Sequence, residues 1–130
     1  MRQGDRRVTL SLALERPFAD KRLAVRLTPY AADFPFTEFA HELARVNGGT
    51  IEAKLGAPGL DEVYWDIRIR ERLLTLHYQH FLGVYLLASS EDSEGLLQEV
   101  LPFTETYLSR PRALWRRVRA AWRKLRHAMP

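Results

Sequence analysis

Three groups of residues have side chains and spacings that could do chemistry. Glu38-Phe39-Ala40-His41 sets a carboxylate and an imidazole about one helical turn apart, the pair with which bundle helices hold di-iron centres. Such centres need the pair twice, with two further glutamates on facing helices, and this chain carries it once. A solvated helix face is the expectation for Glu38 and His41. His77 and His80 bracket Tyr78-Gln79. On a continuous strand their odd separation sends them to opposite faces, so they could share a metal only across a turn at Gln79-His80. Asp61, Glu62 and Asp66 are the densest acids of a strand-like run. Glu62 and Asp66 lie four residues apart, ~13 Å on an extended chain, too far for paired acid–base work. Cross-strand ion pairs account for the mixed signs of Glu62, Asp66, Arg68 and Arg70.

Nothing stronger replaces these groups. There is no G-x-S-x-G elbow, no glycine-rich phosphate loop and no dinucleotide fingerprint. Gly48-Gly49 follows a helix end, which repels anions. Ser89 and Ser90 precede Glu91 and Asp92, a poor setting for phosphate. The chain has no cysteine, so thiol nucleophiles and thiolate metal sites are excluded. No catalytic residue, cofactor, metal or small-molecule substrate is assigned, and the expectation is that the protein is not an enzyme.

Two surfaces are better suited to binding. The first is a strand face bearing Tyr64, Asp66, Arg68 and Arg70, since tyrosine and arginine are common interface anchors. The second is the C-terminal segment. Residues 1–109 hold 12 Lys+Arg against 16 Asp+Glu, a net −4, whereas residues 110–130 hold eight basic residues and no acid. The formal charge of +4 therefore belongs to the last 21 residues rather than to the whole chain. At ~100° per residue, Leu114, Trp115, Val118, Ala121, Trp122 and Leu125 fall on one side of a helical wheel. Arg116, Arg117, Arg119, Arg123, Lys124 and Arg126 fall on the other. Such a helix docks on its own domain, on a second copy or on another protein. Alternatively it lies on anionic lipid or nucleic acid through Trp115, Arg116, Arg119, Trp122, Arg123 and Arg126.

The elements that position these residues follow from periodicity. Val8, Leu10, Leu12 and Leu14 alternate with smaller or polar residues, as do Leu23, Val25 and Leu27, which predicts two strands joined as a hairpin. Residues 33–47 read as a helix whose apolar face is Phe36, Phe39, Ala40, Leu43 and Val46, with Glu38, Glu42 and Arg45 turned away. Asn47-Gly48-Gly49 ends it. Four further strands are expected at 51–55, 63–70, 74–79 and 81–88, antiparallel because the links are short. A helix follows Ser89-Ser90, with Pro102 expected to kink or split it, and a last helix runs from about Ser109 to His127.

The order is ββαββββα plus the basic helix. That is an α+β fold: an antiparallel sheet of about five to six strands with helices on one face. At 130 residues, 46% hydrophobic and 28% charged, the chain forms one domain over 1–109, on which 110–130 docks. The longest apolar run, residues 81–88, is too short to span a membrane, and the first residues lack a signal-peptide core. A cytoplasmic protein is expected. The architecture resembles that of small bacterial proteins of unknown function, immunity-type binders among them, without a motif from which residues transfer. The function expected is non-catalytic binding of another protein or of a second copy. The alternative is a peripheral membrane or nucleic-acid binder acting through the arginine-rich helix.

Overall fold

The computed structural model describes residues 12–29, 34–56, 61–110 and Lys124. Within them the chain forms β1 (Leu14–Glu15), β2 (Ala24–Thr28), α1 (Phe36–Val46), β3 (Thr50–Leu55), β4 (Glu62–Ile69), β5 (Arg72–Gln79), β6 (Gly83–Ala88) and α2 (Glu94–Leu108). The six strands make one antiparallel sheet in the order β1-β2-β6-β5-β4-β3. The fold is α+β, with both helices on one face. Residues 8–11, expected in the first strand, and 111–130 apart from Lys124, expected in the last helix, lie outside the described residues.

Alternation in β4 builds the core. Val63, Trp65, Ile67 and Ile69 are buried on the helix side, beside Leu74 and Leu76 of β5 and Val84, Leu86 and Ala88 of β6. Phe39 and Leu43 of α1 and Leu97 and Val100 of α2 close over them. The helices meet where Phe39 packs edge-on against Tyr107, with ring centroids 5.1 Å apart. Full burial of each large apolar side chain contributes about 1.5–3 kcal/mol.

α1 shows where helical spacing is an incomplete guide. Val46, placed on its apolar face, is exposed, and Glu38, placed on its solvent face, is only 5% exposed. Phe36, Glu38, Phe39, Ala40, Leu43 and Ala44 are buried, so burial reaches Glu38 but not Val46. At the C-terminus Gly48 takes a left-handed conformation (φ 66°) and the Gly49 N–H donates to Ala44 O at 2.7 Å. Gly49 is required by space, because a Cβ there would stand 2.4 Å from the carbonyl oxygen of Arg68.

Two turns set the registers. The β4–β5 hairpin turns on Arg70 and Glu71, both at positive φ (48° and 70°), which suits a primed two-residue turn although neither is Asn or Gly. It sets Tyr64 opposite His77 and Asp66 opposite Thr75. The β5–β6 turn takes in residues 80–82, so Phe81 and Leu82, expected in the strand, are exposed instead. The Gln79 side-chain oxygen accepts the Phe81 and Leu82 N–H groups at 2.7 and 2.8 Å and fixes that turn. Gly83 then passes against β2 at φ 108°, where a Cβ would meet Thr28 O at 2.0 Å.

α2 runs through Pro102 without ending. Proline removes one N–H from the ladder, and both Pro102 and Gln98, whose carbonyl loses its donor, face solvent. Thr104 is buried one turn on, and its hydroxyl donates to Val100 O at 2.9 Å. Among the described residues no helix is long and apolar enough to cross a membrane.

Candidate functional site

The face of the sheet turned away from the helices carries the polar half of each alternating strand. On β4 these residues are Glu62, Tyr64, Asp66 and Arg68, and on β5 Thr75 and His77. Tyr85 and Leu87 of β6 and Ala24 of β2 extend the same face as a small apolar cluster, closed by Phe18 from the β1–β2 connection. This outer face is therefore graded. It is dry beneath Phe18 and open toward β4 and the edge strand β3.

Three of the four sheet residues expected to act together are neighbours here. Tyr64, Asp66 and Arg68 form one half-buried stripe along β4. Each has a lateral partner. The Tyr64 hydroxyl donates to Glu62 Oε1 at 3.0 Å, and the Thr75 hydroxyl donates to Asp66 Oδ1 at 2.7 Å. The Arg68 guanidinium pairs across the strands with Glu52 of β3. Arg70 departs from the group. It sits in the positive-φ turn, and its side chain reaches the helix layer to pair with Glu99 of α2. Strand alternation ends at Ile69, one residue earlier than the sequence pattern suggests.

Periodicity along the chain does not bring out the pairing of Glu62 with His77. It sets Glu62 beside Asp66 and His77 beside His80. The contacts are cross-strand. Glu62 Oε1 lies 3.5 Å from His77 Nε2, and the imidazole stacks on the Tyr64 ring at 4.2 Å with planes 10° apart. His77 is 5% exposed, and its Nε2 is buried without a hydrogen-bond partner. Burial pushes its pKa below the ordinary 6.5, the Glu62 carboxylate partly offsets this, and the Arg22 charge adds to the fall. Desolvation, and then the adjacent carboxylate, raise the Tyr64 phenol above its ordinary range. The missing signal was the turn. Centring the hairpin on Arg70-Glu71 is enough to place Tyr64 opposite His77.

The sheet ends on β3, an edge strand whose side chains are exposed at all positions but Ile51. A bulge between Ile51 and Ala53 breaks its register with β4. The Lys54 ammonium lies over the Trp65 ring at 4.5 Å, and Leu55 is 69% exposed. A strand at a sheet edge presents unpaired N–H and C=O groups to a further chain.

Two cavities lie off this face. One, of about 450 Å³, is lined by Arg16, Asp20, Lys21, Arg22, Ser90, Glu91 and Glu94. Its charges largely satisfy one another: Arg16 makes two bonds to Glu94, at 2.9 and 3.0 Å, and Arg22 pairs with Asp20 at 2.7 Å. The other, of about 370 Å³, lies between α1 and β3 and includes His41, Arg45 and Lys54. His41 packs near the Trp65 ring, 6.3 Å between centroids, while Glu38 of the same motif is buried. His80 sits in the β5–β6 turn against Phe81. Among the described residues no group of three or more His, Asp or Glu side chains could hold a metal ion. The expected tail residues Trp115, Arg116, Arg119, Trp122, Arg123 and Arg126 lie outside the described residues. No protein-family model, curated protein or solved structure matches the chain.

Proposed function

We propose that the protein is a non-catalytic protein-binding module that engages its partner, a second copy included, along the β3–β4 margin of the sheet. One observation carries this reading: β3, exposed at all positions but Ile51 and with a strand neighbour on one side only among the described residues, borders the half-buried stripe Tyr64, Asp66 and Arg68. An extended segment of a partner adds to such an edge through main-chain hydrogen bonds, and pockets for alternate side chains give specificity. The bulge and the opposed charges of Glu52 and Lys54 restrict which strand can add, as natural edges do. Leu55 supplies an apolar anchor at the strand's end. The polar side chains of this face bond to one another instead of converging on a cavity, which favours recognition over catalysis. A cytoplasmic location is part of the reading.

The test introduces lysine at two exposed edge positions, Ala53→Lys with Leu55→Lys, and compares wild type and variant by sedimentation velocity over a range of concentrations. A self-associating wild type and a monomeric variant support the reading with a second copy as partner. If wild type is monomeric, chemical cross-linking in cells follows, with the same variant as control. Cross-linked species that persist unchanged in the variant overturn the edge as the binding site.

A second reading rests on the charge division of the chain. Eight basic residues without an acid in 110–130 suit a peripheral binder of anionic membranes or nucleic acid. Binding to anionic vesicles or single-stranded DNA that weakens steeply with salt supports it. Salt-independent association supports the strand edge instead.

A further inference from the structure

The outer-face cluster buries an ionisable ring where its charge is hard to accommodate. His77 lies under the β1–β2 connection, with Tyr64 stacked on one side and Phe18 tilted against it at 5.6 Å. Phe18 in turn packs edge-on against Tyr85 at 5.1 Å. Neutral imidazole serves there as a flat aromatic slab. Its buried Nε2 has no hydrogen-bond partner, and the nearest carboxylate oxygen, on the exposed side chain of Glu62, is 3.5 Å away. That gap is too long for a charge-assisted hydrogen bond.

The connection above it, residues 16–22, is fastened from outside. Arg16 bonds Glu94 of α2 and also donates to Lys21 O at 2.8 Å. Arg22 is clasped by Asp20, and the Lys21 N–H donates to Phe18 O at 2.9 Å. The Asp20–Arg22 pair is exposed and weak, whereas the two-bonded Arg16–Glu94 pair, on a carboxylate only 24% exposed, is the firmer tether at the start of the segment. Lys21 itself is held at φ 61°, a conformation costly to a residue with a Cβ. Beyond that tether the segment is held against the outer face by Phe18, and its backbone is strained at Lys21.

We propose that residues 16–22 form an acid-released flap, in which a proton on His77 expels Phe18 and uncovers the Tyr64, His77 and Tyr85 rings. Among the described residues, the charged and titratable groups set around His77 and its cluster include Glu62 and Tyr64 on β4, Tyr85 on β6, Arg26 of β2 over the Tyr85 ring, and in the flap Arg22 with Asp20, which partly screens it. An imidazolium beneath Arg22 adds like-charge repulsion to the flap, and its Nε2–H, buried without a partner, gains water when the flap opens. Glu62 opposes this by attracting the new charge from the rim. The inference concerns the isolated chain and does not rest on the strand-edge reading.

The test is a pH titration of the full chain from 8 to 5, following the His77 ring signals and the amide exchange of residues 16–22 by NMR. Exchange in the flap, corrected for intrinsic chemistry, is expected to rise by up to about tenfold per pH unit as pH falls toward the His77 midpoint, and to level off below it. His77→Phe keeps an aromatic slab and should abolish the rise. Glu62→Gln, at an exposed position, should move the His77 midpoint and the opening together to lower pH. This second variant preserves the test if His77→Phe does not fold. An imidazolium that stays clasped to Glu62 under a protected flap overturns the proposal. So does opening that persists in His77→Phe, or a His77 that takes up no proton above pH 5.

Discussion

The two faces of the sheet are made by the same strands, yet they are stabilised differently. Toward the helices, Val63, Trp65, Ile67 and Ile69 meet Phe39, Leu43, Leu97 and Val100 in a dry, close-packed layer. On the far side, the alternate residues of those strands make a thin aromatic cluster under one loop, flanked by hydrogen-bonded polar pairs. Packing loss should therefore dominate the first face, and charge state and salt the second. The division also favours the outer face for the proposed binding: its contacts are the ones that can be exchanged for a partner's at small cost.

The most direct way to break the comparison is truncation on either side. Phe39→Ala removes a fully buried ring that touches Tyr107 and Phe103, and should cost about 3–5 kcal/mol in urea unfolding. Tyr64→Ala takes away a half-buried ring and one hydrogen bond to an exposed carboxylate, and should cost about 1 kcal/mol. Equal losses would show that the outer cluster is a second core.

The next effect comes from the turn that aligns both faces. Glu71 sits at φ 70°, where glycine is at ease and glutamate is not. Glu71→Gly should raise stability by about 0.5–1 kcal/mol, after allowing for the entropy that glycine adds to the unfolded chain. A loss of stability in the same unfolding assay would mean that the Glu71 side chain contributes more than its backbone costs.

This turn also shows how far the sequence could be read. Alternation in residues 63–69 identified β4 and its buried side unaided, because one face of that strand is covered and the other is not. The antiparallel pairing of neighbouring strands and the one-sided helices follow from short links and strand content, but the strand order does not. Periodicity carries no register, however. Tyr64 and His77 are thirteen residues apart, and only the positive-φ pair Arg70-Glu71 makes them neighbours. The same pair takes Arg70 out of the expected sheet surface. Glu38 and Val46 exchange roles, because helical spacing marks the core-facing side of α1 but neither the added burial of Glu38 nor the exposure of Val46 at its end. Phe81 and Leu82 read as strand by composition, but the Gln79 side chain and Gly83 build a turn that composition does not reveal.

Acid separates the faces further. The His77 pKa lies below 6.5 in the fold, so between that depressed value and 6.5 the unfolded chain binds the proton more readily. The stability due to neutral burial is complete above pH 6.5 and falls as pH drops through this window. Glu42 and Glu94 are shifted down by their arginine partners, so their contributions are lost only at more acidic pH, below the usual carboxylate value of 4.5. Urea unfolding at stepped pH should therefore show two declines, and His77→Phe should remove the upper one alone. An unchanged upper decline would assign it to another group.

The smallest effect is the most informative about function. Arg68 and Glu52 are each about two-fifths exposed, and an ion pair in that setting contributes roughly 0.2–1 kcal/mol at most. Arg68→Ala should leave unfolding nearly unchanged, and high salt should erase what difference remains. If the β3–β4 margin is where a partner lands, the same substitution should weaken association by much more than it weakens the fold. A charged pair at the centre of an interface becomes desolvated, and truncating one member strands the other. Stability and association measured on one variant therefore separate a decorative surface pair from one kept for a partner. Parallel small losses in both would confine Arg68 to local pairing across β3 and β4.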